Sequence, residues 1–500
     1  MKPLASAACA IVALLSGCTV GPNYQRPAYL PEEHWGEPLA IAPRELPVAG
    51  SFTPYSQASE QRVEIVQWWL TLHDPALDSL VERALAANLG IREAEARLRQ
   101  ARAQRTITAA DLYPAVNAGG SYTRSRESAN AAVQGNTLAG TDENLYQQGF
   151  DANWELDVFG GNRRNLEAAS ADLAAAGEDL RDVLVTLLAE IGRNYVDYRG
   201  AQQQISIAQT NVTAQQKTLD LTEKRFEGGL TSELDVQQAR SQVAATEAQV
   251  PMLETRARVA LHALGVLLAQ PPSSLSQELA AETPIPTGPP SVPVGMPSEL
   301  LLRRPDLRRA ERQLAAATAR IGVAVRDLYP RFFLVGAAGL ESFQAADAFS
   351  WGSRYYSAGP SITWPVFAGG RIHGNIALAT AREEELFASY QQVVLTALQE
   401  VEDALVAYAN EQTRRRSLAE SVAANERATE LAKNLYSQGL ADFLTVLDAQ
   451  RSLYAQQDLL SQSDRAVTED LIALYKALGG GWETALPESQ TASAGQSPGS

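Results

Sequence analysis

The chain has 500 residues and a mass of 53.8 kDa, which exceeds one ordinary hydrophobic core and predicts about three domains, or fewer in an elongated or repetitive architecture. Hydrophobic residues make up 45% of the chain and charged residues 20%, a balance that excludes both a disordered chain and a bundle of membrane helices. The net charge of -16 argues against nucleic acid as a partner, because binding a phosphate backbone requires clustered basic groups.

Motifs of catalytic and metal-binding sites are missing from the sequence. The two cysteines and four histidines are scattered without ligand spacing, which leaves no structural zinc site and no disulfide framework. Two glycine pairs, Gly160-Gly161 and Gly369-Gly370, fall at predicted strand ends but lack the rest of a nucleotide-binding fingerprint. We therefore expect no metal, no cofactor and no catalytic residues, and we predict that the chain is not an enzyme.

The N-terminus is typical of an exported lipoprotein. Lys2 is followed by an apolar run over residues 4–15 and then by Leu15-Ser16-Gly17-Cys18, which predicts a signal peptide over residues 1–17. The tetrapeptide resembles a bacterial lipobox, in which the cysteine receives a diacylglycerol and an acyl chain and anchors the protein in the membrane. The residue after the cysteine is Thr19. An aspartate at this position would resemble an inner-membrane retention signal, so we expect delivery to the outer membrane. The alternative is an ordinary signal peptide with an incidental cysteine.

Two pairs of strands are predicted from alternating apolar and polar residues. Residues 148–158 place apolar side chains on one face and polar side chains on the other, and residues 116–123 do so more weakly. The polar segment 124–144 joins these two strands as a hairpin loop. In the second half, residues 358–366 alternate despite two prolines, which are confined to edges or bulges of sheets, and 331–341 is a poorer candidate.

A very long helix without internal proline follows each pair of strands, at about 164–227 and 371–437. Apolar residues recur every seven positions, which predicts left-handed coiled-coil packing. In the first helix they are Leu184, Ile191, Tyr198, Ile205, Val212, Leu219 and Phe226. The second helix keeps the register at Phe387, Val394, Val401, Tyr408, Val422 and Tyr436, with breaks at Arg415 and Thr429. Shorter helices are predicted at about 75–110, 232–268, 298–328 and 441–477.

The chain repeats itself at an offset near 210 residues, in the same order in both halves. The matched segments are Asp111-Leu112-Tyr113-Pro114 with Asp327-Leu328-Tyr329-Pro330, Val158-Phe159-Gly160-Gly161 with Val366-Phe367-Ala368-Gly369-Gly370, and Gly229-Leu230 with Gly439-Leu440. This long period indicates a duplicated half rather than an array. The predicted organisation is a lipidated extended segment over 18–74, a first repeat over 75–268, a Pro-rich connector over 269–297, a second repeat over 298–478 and a disordered tail over 479–500.

Strands of about ten residues with one apolar face suit the wall of a bilayer-spanning barrel around a wet interior. Four strands cannot close such a wall, because a sheet in a membrane must pair both of its edges and about eight strands form the smallest barrel. The chain must therefore supply part of a shared barrel. Two copies would give eight strands, and three would give twelve with room for a channel. The long helices would surround the same axis.

Several further segments share one resemblance. They are Gly21-Pro22-Asn23-Tyr24-Gln25-Arg26-Pro27, Trp68-Trp69 with Asp74-Pro75, Arg303-Arg304-Pro305-Asp306, Asp448-Ala449-Gln450-Arg451, and Ala473-Leu474-Tyr475-Lys476-Ala477-Leu478-Gly479-Gly480-Gly481-Trp482. Together they resemble the outer membrane factors, the TolC-like and OprM-like exit ducts of tripartite efflux pumps, in their lipoprotein (NodT-type) branch. The resemblance implies an α+β membrane protein: a homotrimer in which each chain adds four strands to a twelve-stranded transmembrane β-barrel and long coiled-coil helices to a periplasmic tunnel. It also implies outer membrane lipid, a periplasmic adaptor (membrane fusion protein) and an RND-type inner-membrane pump as partners.

The resemblance implies that the periplasmic end closes at the helix tips, where acidic residues ring a constriction. It assigns this gate to Asp448, whereas Thr445 stands where the TolC-like pattern has a second acid, which puts a doubled acidic ring in doubt. Asp235 resembles the acid of the gate latch, with Tyr436 in the position of its hydrogen-bond partner, and Ala441 replaces an arginine that some members use. The alternative is that both acids are first-turn residues stabilised by the helix dipole.

The turns between the long and short helices are expected to dock the adaptor, again on the resemblance, at Gly228, Gly229, Leu230, Gly439 and Leu440. The alternative is that they are ordinary glycine turns. The expected function is export of drugs or other small molecules across the outer membrane. Two other functions stay open: the outer-membrane component of a type I protein secretion system, and a lipid-anchored periplasmic coiled-coil scaffold.

Overall fold

The computed structural model describes residues 19–27, 35, 57–59, 65–126, 128, 130, 140–289, 291–297 and 303–485. The predicted signal peptide, Cys18, most of the 18–74 segment and the end of the tail lie outside the described residues. The chain divides into two compact units, and each collects segments from both halves of the sequence. Unit one contains the described residues up to Pro27, Arg97–Gly177 and Arg309–Gln391, and unit two contains the others.

The described residues include eight α-helices and six β-strands. The helices are α1 (Pro75–Ala87), α2 (Leu89–Ala110), α3 (Gly161–Glu227), α4 (Glu233–Glu247), α5 (Val250–Leu267), α6 (Pro305–Arg326), α7 (Arg371–Ser437) and α8 (Phe443–Ala477). The strands are β1 (Gln57–Ser59), β2 (Ala115–Arg126), β3 (Asp142–Leu156), β4 (Ser291–Pro293), β5 (Arg331–Ser342) and β6 (Arg354–Thr363). Within the described part of the chain, none of the helices combines the length and apolar character needed to cross a membrane.

The structure confirms the four predicted long strands and the two predicted long helices, with shifted ends, and each of these helices is 67 residues long. The hairpin loop predicted over 124–144 is shorter, because β2 continues to Arg126 and β3 begins at Asp142. The helix predicted over 75–110 is two helices. Asn88 separates them, accepting a hydrogen bond from the Ile91 backbone N–H at 3.1 Å and donating from its side chain to the Leu267 carbonyl at 2.7 Å. The helix predicted over 232–268 likewise divides, into α4 and α5.

Unit one contains a four-stranded antiparallel sheet with the order β2-β3-β5-β6. The two hairpins, one from each half of the sequence, join through β3 and β5, with Phe150 opposite Ala338. The strands β2 and β6 are the sheet edges. Pro360 lies on the edge strand β6 and pairs with Leu334 of β5.

The duplication is visible in unit one as a repeated hydrogen bond. The indole of Trp154 donates to the Leu112 carbonyl at 3.0 Å, and the indole of Trp364 donates to the Leu328 carbonyl at 3.1 Å. In each half, a tryptophan at the end of the second strand thus bonds the turn that precedes the first strand. The Asp-Leu-Tyr-Pro segment therefore makes the same hydrogen bond in both halves.

In unit two, several residues of the repeated apolar seam are buried, with Leu184, Ile191, Val394 and Val401 at 1% exposure or less. The seam is imperfect toward the end of α3, where Phe226 is 43% exposed. The two breaks in α7 are explained by polar contacts to α8: the Arg415 side chain pairs with Asp464, and the Thr429 hydroxyl donates to the Ala449 carbonyl at 3.1 Å.

The tryptophan and aspartate motif before α1 has a structural role in unit two. Trp68 is buried and stacks on Tyr475 of α8 with ring centroids 5.3 Å apart. Asp74 caps α1, accepting from the backbone N–H groups of Ala76 and Leu77, and its second carboxylate oxygen accepts from the Tyr195 hydroxyl at 2.7 Å. One side chain therefore begins a helix and attaches it to α3.

Candidate functional site

The sheet of unit one separates apolar and polar side chains onto opposite faces. The strand register places Phe150 beside Ala118 and Ala338, and this face continues with Val116, Tyr122, Tyr146, Ala152, Trp154, Leu156, Phe332, Leu334, Leu340, Tyr356, Ala358 and Ile362. In the single chain these side chains are largely unburied, and Tyr356 is 85% exposed. A contiguous apolar face that is exposed in a single chain is unusual. It indicates a surface that contacts lipid or another protein.

The opposite face of the same sheet is mostly polar on β2, β3 and β6, where side-chain hydrogen bonds cross-link it, whereas β5 adds Phe333, Val335 and Ala337. The Asn117 amide donates to the Asp151 carboxylate at 3.0 Å, between β2 and β3. The Gln147 amide donates to the Tyr355 hydroxyl at 3.3 Å, from β3 across β5 to β6. The alternation predicted from the sequence is therefore present in three dimensions, and it is the arrangement of a wall between an apolar medium and water.

The N-terminal segment that begins at Thr19 is bound to the junction between β3 and α3. The Val20 backbone N–H donates to the Phe159 carbonyl at 3.1 Å. A Cβ built on Gly160, whose φ is +75°, would lie 2.6 Å from the Thr19 side chain. The buried Arg164 guanidinium donates to the Val20 carbonyl at 3.1 Å and to the Asn23 side chain at 2.6 Å.

The N-terminal segment also packs closely against the backbone of α6, which explains the glycine at position 21. A Cβ on Gly21, at φ +87°, would come within 2.4 Å of the Gly322 Cα, so neither the conformation nor the space admits a side chain. The segment following Cys18 is thus fixed beside the end of the sheet. Cys18 itself lies outside the described residues.

Two turns with the same geometry connect the long helices to the short ones in unit two. Gly229 (φ +70°) and Gly439 (φ +74°) adopt left-handed conformations after α3 and α7. Leu230 donates its backbone N–H to the Arg225 carbonyl at 2.8 Å, and Leu440 donates to the Leu435 carbonyl at 2.9 Å. Both are Schellman-type helix ends. Leu230 and Leu440 are 69% and 71% exposed, so the two predicted docking turns present equivalent apolar side chains.

The helices that follow the two turns begin with capping motifs. The acid is the third residue of the helix in α4 and the cap residue itself in α8. In α4, the Ser232 hydroxyl accepts from the Asp235 backbone N–H, and the Asp235 carboxylate accepts from the Ser232 backbone N–H at 3.1 Å. In α8, Asp442 is the cap and accepts from the Thr445 backbone N–H at 3.0 Å and from its hydroxyl at 2.6 Å. Thr445 is therefore the structural counterpart of Asp235, and the acid of that pair is Asp442.

Hydrogen bonding keeps both capping acids ionised. Burial opposes ionisation of Asp235, but bonds from the Thr231 hydroxyl and from Ser232 outweigh it and hold the pKa of Asp235 below its usual value. The bond from the Thr445 hydroxyl, followed by that from its backbone N–H, likewise lowers the pKa of Asp442. Each cap therefore contributes a stable negative charge beside its turn.

Tyr436 joins the ends of α3 and α7 through a residue that sequence reasoning missed. The Arg225 guanidinium donates to the Tyr436 carbonyl at 2.8 Å and lies 4.5 Å above the centre of the tyrosine ring. The same ring meets Phe443 edge-on at 5.9 Å, in a core cluster formed by residues of α3, α4, α7 and α8. The only sequence feature that could have indicated Arg225 is its place in the last turn of a helix, where a cation is favoured.

The predicted partnership of Asp235 and Tyr436 is not formed within the described residues of one chain. The Asp235 carboxylate is bonded to Thr231 and Ser232. The Tyr436 hydroxyl is buried and has no hydrogen-bond partner among the described residues. A latch between these two side chains therefore stays a prediction that requires either a neighbouring chain or a rearranged tip.

Asp448 lies on the exposed face of α8, beside a face that packs into the tip core. Val446 and Leu447 are buried in that core. Gln450 is also buried, and its amide donates to the Thr218 hydroxyl of α3 at 2.9 Å. Arg451 donates to the Gln242 side chain of α4 at 2.7 Å. The Asp-Ala-Gln-Arg segment thus uses two residues to join helices and leaves its acid free to face outward.

Known proteins similar to this chain are outer-membrane channels. The family described as "Outer membrane efflux protein" matches residues 80–270 and 296–480. The pyoverdine export outer membrane protein OpmQ of Pseudomonas aeruginosa is 34% identical, with 84% of this chain and 88% of that protein covered. The toluene efflux pump outer membrane protein TtgF of Pseudomonas putida is 32% identical, with 97% and 98% covered. The solved structure of the outer-membrane channel OprN matches with a TM-score of 0.85 at 37% identity, with 93% of this chain and all of that chain covered.

Proposed function

This chain belongs to the outer membrane efflux protein family and is an outer-membrane protein, and from that premise we propose that it is the exit duct of a tripartite, RND-type efflux pump. Its cargo is small molecules such as drugs or solvents, which pass from the periplasm to the exterior. Relatives named for toluene efflux and pyoverdine export support this class of cargo. The pump and its periplasmic adaptor complete the assembly.

The duct is a homotrimer with a twelve-stranded transmembrane barrel. The observation that carries this proposal is the sheet of unit one, in which β2 and β6 are edges and the two faces differ in polarity. An open edge in lipid leaves backbone groups without partners, so the strands of further copies must pair with it. Three copies give twelve strands, with the apolar face toward lipid and the polar face toward a water-filled interior.

The lipid anchor is Cys18, carrying a diacylglycerol and an acyl chain. Support comes from the next two residues, because Thr19 and Val20 contact the junction between β3 and α3. That junction directly follows a strand assigned to the membrane wall. Acyl chains on the preceding residue would therefore begin at the membrane surface, where they can enter the lipid without stretching the chain.

The periplasmic end closes at the helix tips, with Asp448 as the acidic ring. Its outward position on α8 and its lack of a bonded partner among the described residues support this role. Three carboxylates around one axis repel each other and attract cations. Because Thr445 serves as hydrogen-bond donor to Asp442, the ring is single. Asp235 and Tyr436 form the latch in the assembly, and the exposed leucines of the two glycine turns dock the adaptor.

Recordings from the purified protein in planar lipid bilayers test the duct and the gate separately. A conducting trimer, identified by crosslinking, supports the duct, whereas a monomer without conductance would overturn it. We expect Asp448→Asn to raise the resting conductance and to weaken cation selectivity. The matched control is Glu430→Gln, an exposed acid on α7. If Asp448→Asn behaves like wild type while the trimer conducts, Asp448 is not part of the gate.

A further inference from the structure

A cavity of about 560 Å³ lies among α3, α7 and α8 in unit two, close to the turns. Lys217 of α3 and Lys433 of α7 line it, together with Tyr436 and three threonines of α3. Its volume suits a small molecule. None of the residues assigned above to the gate or to docking lines this cavity except Tyr436, so its polar lining requires a separate explanation.

The two lysines are notable because lysine is scarce in this chain. Of its 42 basic residues, only five are lysines: Lys2, Lys217, Lys224, Lys433 and Lys476. Two of these five meet in one cavity, although they are 216 positions apart in the sequence. Arginine, which forms the ion pairs elsewhere in the structure, has a planar group suited to paired carboxylates, whereas the lysine ammonium group is a compact point charge suited to a small oxyanion.

The positive charge of the cavity is not neutralised by the protein. Among the described residues, no carboxylate forms an ion pair with either ammonium group. Burial, followed by the nearby charge of Lys217, lowers the pKa of the Lys433 ammonium group. Lys433 is half-buried and Lys217 is exposed, so the cost of a like charge nearby falls mainly on Lys433, and a bound anion would reduce it.

One residue of the lining, Tyr436, carries a buried hydroxyl group without a hydrogen-bond partner among the described residues. Tyr436 is 3% exposed. The hydroxyls of Thr213 and Thr218 already donate to carbonyls of their own helix, at 2.9 and 3.1 Å. The tyrosine hydroxyl is therefore a donor without an assigned acceptor, and a buried donor in that state costs free energy.

We propose that this cavity is a binding site for a small oxyanion of the phosphate class, either inorganic phosphate or a phosphomonoester. The ammonium groups of Lys217 and Lys433 hold the oxyanion, and the Tyr436 hydroxyl donates to it in the state in which the latch with Asp235 is not formed. Because the lysines belong to α3 and α7, the bound anion bridges the two long helices near their ends. This site lies within one chain and does not depend on the proposed export function.

The test is isothermal titration calorimetry of the full-length protein in detergent at constant ionic strength, first with inorganic phosphate and then with glycerol 3-phosphate. We expect saturable binding of at least one of the two ligands to wild type. Lys217→Gln and Lys433→Gln should each weaken it by about tenfold or more, because each removes a charge-assisted contact. Lys433→Arg should retain more affinity than Lys433→Gln. Tyr436→Phe, which removes only the hydroxyl, should weaken binding by a smaller factor.

The matched control is Lys224→Gln, since Lys224 lies two turns further along α3, is exposed and does not line the cavity. It should bind like wild type. Tighter binding of glycerol 3-phosphate than of inorganic phosphate would identify an ester as the ligand, and the reverse order would identify the free ion. The proposal is overturned if wild type binds neither ligand, or if the Lys217 and Lys433 variants bind as tightly as the Lys224 variant. Circular dichroism confirms that each variant is folded.

Discussion

The contact of Arg225 with Tyr436 predicts a measurable coupling between the ends of the two long helices. Arg225→Gln removes a charged hydrogen bond of 2.8 Å and a cation–π contact of 4.5 Å. The first contributes about 1.5 to 3 kcal/mol and the second about 0.5 to 2 kcal/mol. Since the glutamine amide can replace part of the hydrogen bond, we expect a loss of about 2 kcal/mol. That loss favours the opened tip by roughly 30-fold.

Hydrogen exchange of the turn amides measures this change directly. The Leu230 and Leu440 N–H groups close the two turns, and both should exchange faster in Arg225→Gln by about the same factor. Arg240→Gln is the control, because Arg240 pairs with Glu223 at the surface at 3.0 Å and such pairs contribute little. Unchanged exchange at both turns, or equal acceleration in the control, would refute the coupling. Single-channel recordings should show more frequent openings of Arg225→Gln alone.

Three further predictions concern stability. Asp74→Ala loses the cap of α1 and the bond from Tyr195, and should lower the free energy of unfolding by about 2 to 4 kcal/mol; Tyr195→Phe, which keeps the cap, should cost less in the same denaturant titration. Burial raises the pKa of Asp470 to about 6. The folded protein therefore favours the protonated carboxyl group, and the stability that this group contributes is fully present below its unfolded pKa near 4 and is lost as the pH rises through 6. Asp470→Asn should therefore raise Tm relative to wild type at pH 7.5, and an unchanged difference between pH 7.5 and pH 4.5 would contradict this. Gly21→Ala places a Cβ 2.4 Å from Gly322 and should release the N-terminal segment to limited proteolysis, whereas persistent protection would contradict the close approach.

The sequence alone was sufficient for the family and for the main elements. The recognised segments led to the outer membrane factors, and the family match confirms that assignment. The strand positions were predictable because a period of two in the side chains directly reports one apolar face, as around Phe150. The long helices were predictable because their seven-residue period persists without a proline.

Local helix breaks and capping were less accessible from the sequence. Asn88 divides a helix that the apolar pattern reads as continuous, because its side chain bonds a backbone group 179 positions away. The sequence analysis also did not predict that the acid and the hydroxyl residue occupy opposite positions in the caps of α4 and α8. Thr445 reads as the loss of an acid, and only the hydrogen bonds reveal that the acid of this capping pair is Asp442, three residues earlier.

The periodic features of the protein could be predicted from its residues: the two halves, the alternating strands, the long apolar seams and the turns between them each depend on residues close together in the chain. Which distant groups meet depends on tertiary packing. It brought Arg225 against Tyr436, placed two of the few lysines in one cavity, and set Val20 against Phe159. Such pairings depend on how helices and strands pack over hundreds of intervening positions, and no local pattern of side chains encodes that geometry.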